Sequence, residues 1–166
     1  TLDINFRGTV DLTEELLPLV RKSTDGRIVN VASMTGRLSQ ISSSELRSKL
    51  TSPSLTMTEL RKLLDDFESD VENGIHTENG WSNSNYGMSK LALIAATKIM
   101  AKDESLARSC VKVNACCPGY CATDMTSHKG NQSASNGART PVLLATMDLK
   151  DCATGEFYKN MVKSDW

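Results

Sequence analysis

The sequence predicts an α/β protein built on a parallel sheet, and three observations carry that reading. Residues 27–32 (RIVNVA) are a short β-branched run without clean alternation, as expected of a strand covered on both faces, and 111–117 (VKVNACC) is a second strand-like run that stops abruptly at Pro118-Gly119. The segments before and between them carry apolar residues at helical spacing. Turn and breaker residues, STDG at 23–26 and Pro118-Gly119, punctuate the runs. Strands alternating with helices imply βαβ units with right-handed crossovers.

In chain order, residues 2–22 place Ile4, Val10, Leu16, Leu17 and Val20 roughly on a helical stripe. Pro18 is expected to bend or loosen that helix, because it removes a hydrogen bond. After the strand at 27–32, the stretch 37–58 is rich in Ser and Thr and holds two capping-box signatures, Ser42 with Glu45 and Thr56 with Glu59. An insertion carrying small helices is predicted over about 37–82. Within it, Leu60, Leu63, Leu64, Phe67 and Val71 form one apolar stripe of an amphipathic helix lying on the domain. Asn73-Gly74 and Asn79-Gly80 read as turns. From Tyr86 to about 107, the only glycine is Gly87 and no proline occurs, so a long, well-buried helix is predicted. The strand at 111–117 follows. Thr140-Pro141 opens a short helix with Pro at its first position, and 155–160 supplies a last short strand.

Composition excludes several classes. The chain has 166 residues, 39% of them hydrophobic, which suits one domain. Nineteen basic residues face twenty acidic ones with no basic block, so no nucleic-acid surface is expected. No run reaches the roughly 18 apolar residues of a membrane span. Five cysteines, with Cys116 and Cys117 adjacent, make a poor disulfide framework. They read as free thiols in a reducing compartment, and with no signal peptide a cytoplasmic location is expected. His76 and His128 show no ligand spacing to the cysteines, so no metal site is expected. The chain opens on Thr1 with a helix pattern already under way, and reads as cut from something longer.

Four residues stand out chemically. Tyr86 and Lys90 are four apart at the start of the long helix, hence on one face and one turn from each other. An ammonium beside a phenol favours the phenolate, which makes the pair a proton donor and acceptor. Ser33 ends a strand, where a parallel sheet presents side chains to its crevice, and its hydroxyl can donate to an oxygen gaining charge. Asn5 is a mediocre helix former inside a helical segment. Taken singly, each also has a structural reading: a chance spacing, a backbone-capping serine, a local bend.

Together the segments NFRG (5–8), GRIVNVAS (26–33), YGMSK (86–90) and VNACCPGYCATDM (113–125), in this order, resemble the short-chain dehydrogenase/reductase family. Ser33 and Tyr86 are 53 positions apart. That long interval, with ENGW before the tyrosine segment and CCPG after the next strand, resembles the monomeric carbonyl reductases. The resemblance implies that Tyr86 protonates the substrate oxygen, Lys90 supports it and holds the nicotinamide ribose, Ser33 orients the carbonyl, and Asn5 positions a water linked to Lys90. It implies NADPH as cofactor, lying along Pro118, Gly119, Cys121, Ala122 and Thr123, with Thr123 at the carboxamide. Met34, Trp81, Tyr120 and Met125 flank these motifs as candidate walls of an apolar pocket for a small carbonyl substrate, with core packing as the alternative.

The family's glycine-rich G-x-G-x-x-G turn is not among these residues. The expected architecture is therefore a partial Rossmann-like, doubly wound sheet: residues 1–166 as the C-terminal catalytic part, lacking the βαβ half that anchors cofactor phosphates. The strand at 27–32 would then lie at an exposed edge, with weak cofactor binding by this chain alone. The intact relative is expected to be a monomer, whereas this fragment could associate through that edge. The alternative to a reductase is a catalytically silent α/β module with an interaction or structural role.

Overall fold

The computed structural model describes the backbone of residues 1–166 and every side chain except those of Glu104 and Ala107. A π turn over Asp3–Arg7 runs directly into α1 (Gly8–Val20), followed by β1 (Arg27–Val31). The stretch after β1 folds as α2 (Ser44–Thr51) and α3 (Met57–Glu72). Next come α4 (Asn85–Ala101), the short α5 (Glu104–Arg108), β2 (Lys112–Cys117), α6 (Ala134–Thr146), β3 (Phe157–Lys159) and β4 (Val162–Lys163). Among the described residues, no helix is long and apolar enough to cross a membrane.

The sheet order is β1-β2-β3-β4, with β1 parallel to β2, β2 parallel to β3, and β4 antiparallel to β3. Alternation along the strands divides the core. Ala32, Ala115, Cys117 and Phe157 pack with Leu93 and Ile94 of α4, whereas Cys116 and Tyr158 pack with Leu144 of α6. Helices therefore cover both faces. Since β1 to β2 and β2 to β3 step in the same direction while α4 and α6 lie on opposite faces, the two crossovers have opposite hands. The right-handed expectation holds for only one of them.

Packing of α3 follows its stripe. Leu60, Leu64 and Phe67 of α3 are buried in the core that also holds Met88 and Leu91 of α4. Each such side chain contributes about 1.5–3 kcal/mol on burial. Thr56 and Glu59 form the expected capping box, but α2 is capped by Ser43, whose hydroxyl accepts from Leu46 N, and not by Ser42.

Other expectations are corrected. A π turn at Asp3–Arg7, not foreseen, precedes α1, which continues past Pro18 to Val20. The long helix ends at Ala101. Ser133 caps α6, so Pro141 sits inside that helix and does not begin it. β4 has no counterpart in the sequence reading. β1 lies at the edge of the sheet, as expected, while cover of its faces is incomplete, with Val31 45% exposed. Beside it a groove of about 460 Å³ runs between β1 and α1, lined by Ile4, Leu12, Leu16, Ile28 and Val29.

Candidate active site

The site lies at the carboxyl ends of β1 and β2, where an open parallel sheet presents side chains to a crevice. Val31 of β1 is in register with Cys116 of β2, and Ala32 N donates to Cys116 O at 2.7 Å. Ser33 therefore leaves the sheet beside Pro118-Gly119.

Tyr86 and Lys90 stand on the first turns of α4, which Ser84 starts by accepting from Gly87 N at 2.9 Å. The Lys90 ammonium lies 5.7 Å from the centroid of the Tyr86 ring and donates to Val31 O at 2.9 Å. That bond ties the helix to the strand end that carries Ser33. Burial holds the Lys90 ammonium below the usual lysine range, and the neighbouring Cys117 opposes the shift. Tyr86 is 42% exposed, and its hydroxyl meets no hydrogen-bond partner among the described residues, so it is open to a ligand.

Ser33 caps a 3₁₀ turn over Met34–Gly36, its Oγ accepting from Thr35 N at 3.2 Å and lying 3.0 Å from Thr35 Oγ1. Two glycines let this turn sit directly on α4. A Cβ on Gly36 would fall 2.6 Å from the carbonyl carbon of Lys90, and one on Gly87 would fall 3.1 Å from Thr35 O. Gln40 adds a bond, Nε2 donating to Gly87 O at 3.2 Å. The close approach brings Ser33 to the helix turn bearing Tyr86 and Lys90.

Asn5 sits in the π turn, a form that concentrates at functional sites. Its Nδ2 donates to Ser89 Oγ at 3.1 Å, and Ser89 Oγ donates to Tyr86 O at 2.8 Å. Asn5 is thus coupled to the tyrosine turn through a buried serine that sequence reading did not select. Arg7 clamps the same π turn to α3 through Glu68 at 2.6 Å and Asp65 at 2.7 Å, and these carboxylates hold its guanidinium above its ordinary pKa.

The loop after β2 is tied internally. Gln132 Nε2 donates to Pro118 O at 2.5 Å, Ala122 N donates to Gln132 O at 2.8 Å, and Thr126 Oγ1 donates to Cys121 O at 2.6 Å. Gln132 and Thr126 were missed because their partners are backbone groups that no motif announces. Pro118, Gly119, Cys121, Ala122 and Thr123 are all partly accessible. All five cysteines are free, and burial pushes the Cys116 thiol up to about 12, leaving it unreactive at neutral pH.

The four candidate pocket residues differ in exposure. Trp81 is 6% exposed in the core, its ring edge-on to Phe67 at 5.6 Å and its indole N–H donating to Asp70 Oδ2 at 2.8 Å. Core packing is its role here. Met34 is partly buried against the cluster of Ala32 and Leu93. Tyr120 and Met125 project into solvent, 53% and 89% exposed.

A nicotinamide cofactor fits this arrangement at one end. Lys90 uses one of its three donors on Val31 O and has two left for ribose hydroxyls, beside the accessible 118–123 loop.

The profile described as short chain dehydrogenase matches residues 1–46 and 73–134. Carbonyl reductase (NADPH) 1 of Mus musculus is 40% identical over 150 residues, covering 89% of this chain and 53% of that protein. The Homo sapiens protein of the same name is 41% identical over the same shares. Among solved structures, salutaridine reductase from Papaver somniferum superposes with a TM-score of 0.86 at 32% identity, over 95% of this chain and 53% of its own. The chain spans about half the length of these relatives. The profile match over residues 1–46 and 73–134, with the same fold, places this chain in the short chain dehydrogenase family.

Proposed function

We propose that this chain is the catalytic part of an NADPH-dependent carbonyl reductase that acts on ketones, aldehydes or quinones in the cytoplasm. The observation that carries the reading is the joining of Tyr86, Lys90 and Ser33 at one strand end by the Lys90–Val31 bond and the Gly36 contact. Similarity to carbonyl reductases supports the substrate class and the choice of NADPH. The unmatched residues between the two profile segments support reading that stretch as an insertion into the domain.

When bound, reduced nicotinamide supplies a hydride to the carbonyl carbon. The charge left on oxygen is met by this chain's own groups. Tyr86 Oη donates the proton, and Ser33 Oγ turns from its local bond to Thr35 to donate to the same oxygen. Lys90, held by Val31 O, favours the phenolate that remains and grips the ribose. Asn5 and Ser89 hold the tyrosine turn in place. Pro118, Gly119, Cys121, Ala122 and Thr123, all partly accessible, would line the nicotinamide.

The test is NADPH-dependent turnover of an aromatic ketone or quinone by this chain and by Tyr86→Phe. Turnover above background in the parent and background in the variant is expected; equal rates at background overturn the reading for this chain. Because burial favours loss of the Lys90 proton, kcat/KM should fall with rising pH through a midpoint below the ordinary 10.5 of lysine.

A second reading, a silent module, draws on the open groove beside β1 and on the absence of a glycine-rich phosphate turn in these residues. It predicts background turnover from the parent chain.

A further inference from the structure

A second cavity, of about 390 Å³, opens at the other end of α4, between the end of α2, the last turns of α4 and the approach to β3. Along the helix axis its lining lies about 14–24 Å from Tyr86, at 1.5 Å rise per residue. Leu50 and Ala95 form a buried floor, and Ile99 and Trp166 form apolar walls.

Two cations line the cavity one helical turn apart. Lys98 Nζ donates to Gly155 O at 3.1 Å and lies 5.8 Å from the centroid of the Trp166 ring. Lys102 Nζ donates to Pro53 O at 2.9 Å. Both acceptors are neutral carbonyls, and among the described residues neither lysine meets a carboxylate. Two acids near in sequence are engaged elsewhere: Asp103 accepts from Ser105 and sits 3.9 Å from Arg21, and Glu156 pairs with Lys163 at 3.1 Å. Like charges one turn apart repel, and the carboxyl end of the helix offsets this only in part. Each ammonium keeps two donors unused by its carbonyl. An anion between them would take up those donors, while the indole face and aliphatic walls accept an apolar body.

We propose that this cavity is a binding site for a small aromatic carboxylic acid, its carboxylate held by Lys98 and Lys102 and its ring against Trp166. The proposal is independent of the reductase reading, since it shares no residue with the Tyr86 site.

The experiment is an NMR titration of the chain with 2-naphthoate, with 2-naphthamide as the uncharged analogue. A saturable shift of the Trp166 indole N–H is expected, with none at Trp81. Lys98→Gln and Lys102→Gln should each weaken binding about tenfold, the worth of one charge-assisted hydrogen bond, and the amide should bind at least as weakly. Tyr86→Phe should leave the titration unchanged. Equal affinity for acid and amide, undiminished binding by the doubly substituted chain, or saturation centred on Tyr86 without Trp166 would overturn the proposal. Dispersed spectra of the variants verify that any loss reflects the site and not the fold.

Discussion

α4 and α1 are both rich in apolar residues, yet they meet opposite fates. α4 buries Leu91, Ala92, Leu93, Ile94, Ala95 and Ala96 between the sheet and α3. α1 buries only Val10, while Leu12, Leu16 and Leu19 are 60%, 44% and 62% exposed. Hydrophobic pattern states a demand for cover; packing decides whether it is met. Tyr86 and Lys90 stand on the covered helix, where neighbours on several sides fix their positions, whereas the open groove lies between β1 and α1.

The comparison can be broken at either helix. Leu91→Ala removes a fully buried side chain, and should cost about 2–5 kcal/mol in a urea unfolding experiment. A cost under about 1 kcal/mol would mean that α4 is less tightly covered than its burial indicates. Gly36→Ala sharpens the point, because its Cβ would meet the Lys90 backbone, not a flexible side-chain end. It should cost about 1–3 kcal/mol by the same measurement. Leu12→Gln with Leu16→Gln should be the mildest change. These residues are exposed, so stability should stay within about 0.5 kcal/mol per site. Self-association measured by sedimentation should fall or remain absent; a large loss of stability would show that the groove is closed in solution.

What the sequence disclosed follows the range of each interaction. The stripe of α3, the strand runs of β1 and β2 and the shared face of Tyr86 and Lys90 are local patterns, and all are present in the structure. The link from Asn5 to Ser89 spans 84 positions, and the ties of Gln132 and Thr126 to the 118–121 backbone depend on a loop folding back. No local periodicity encodes such bonds. For Trp81 the sequence left both a pocket wall and core packing open, and its contacts with Asp70 and Phe67, 11 and 14 positions away, are of the kind that no flanking motif discloses. The early start of α6 escaped because Pro141 looked like a first-turn proline, while Ser133 capped the helix upstream.

The central claim is that Tyr86, Lys90 and Ser33 act as one unit on a single oxygen. A double-mutant cycle of kcat/KM for NADPH-dependent quinone reduction, using Tyr86→Phe, Ser33→Ala and the pair, tests it most directly. Each single change should remove about 10²–10⁴-fold, and the pair no more than the worse single, as for residues acting as a unit. Losses that multiply, or a single variant matching the parent, would contradict the claim.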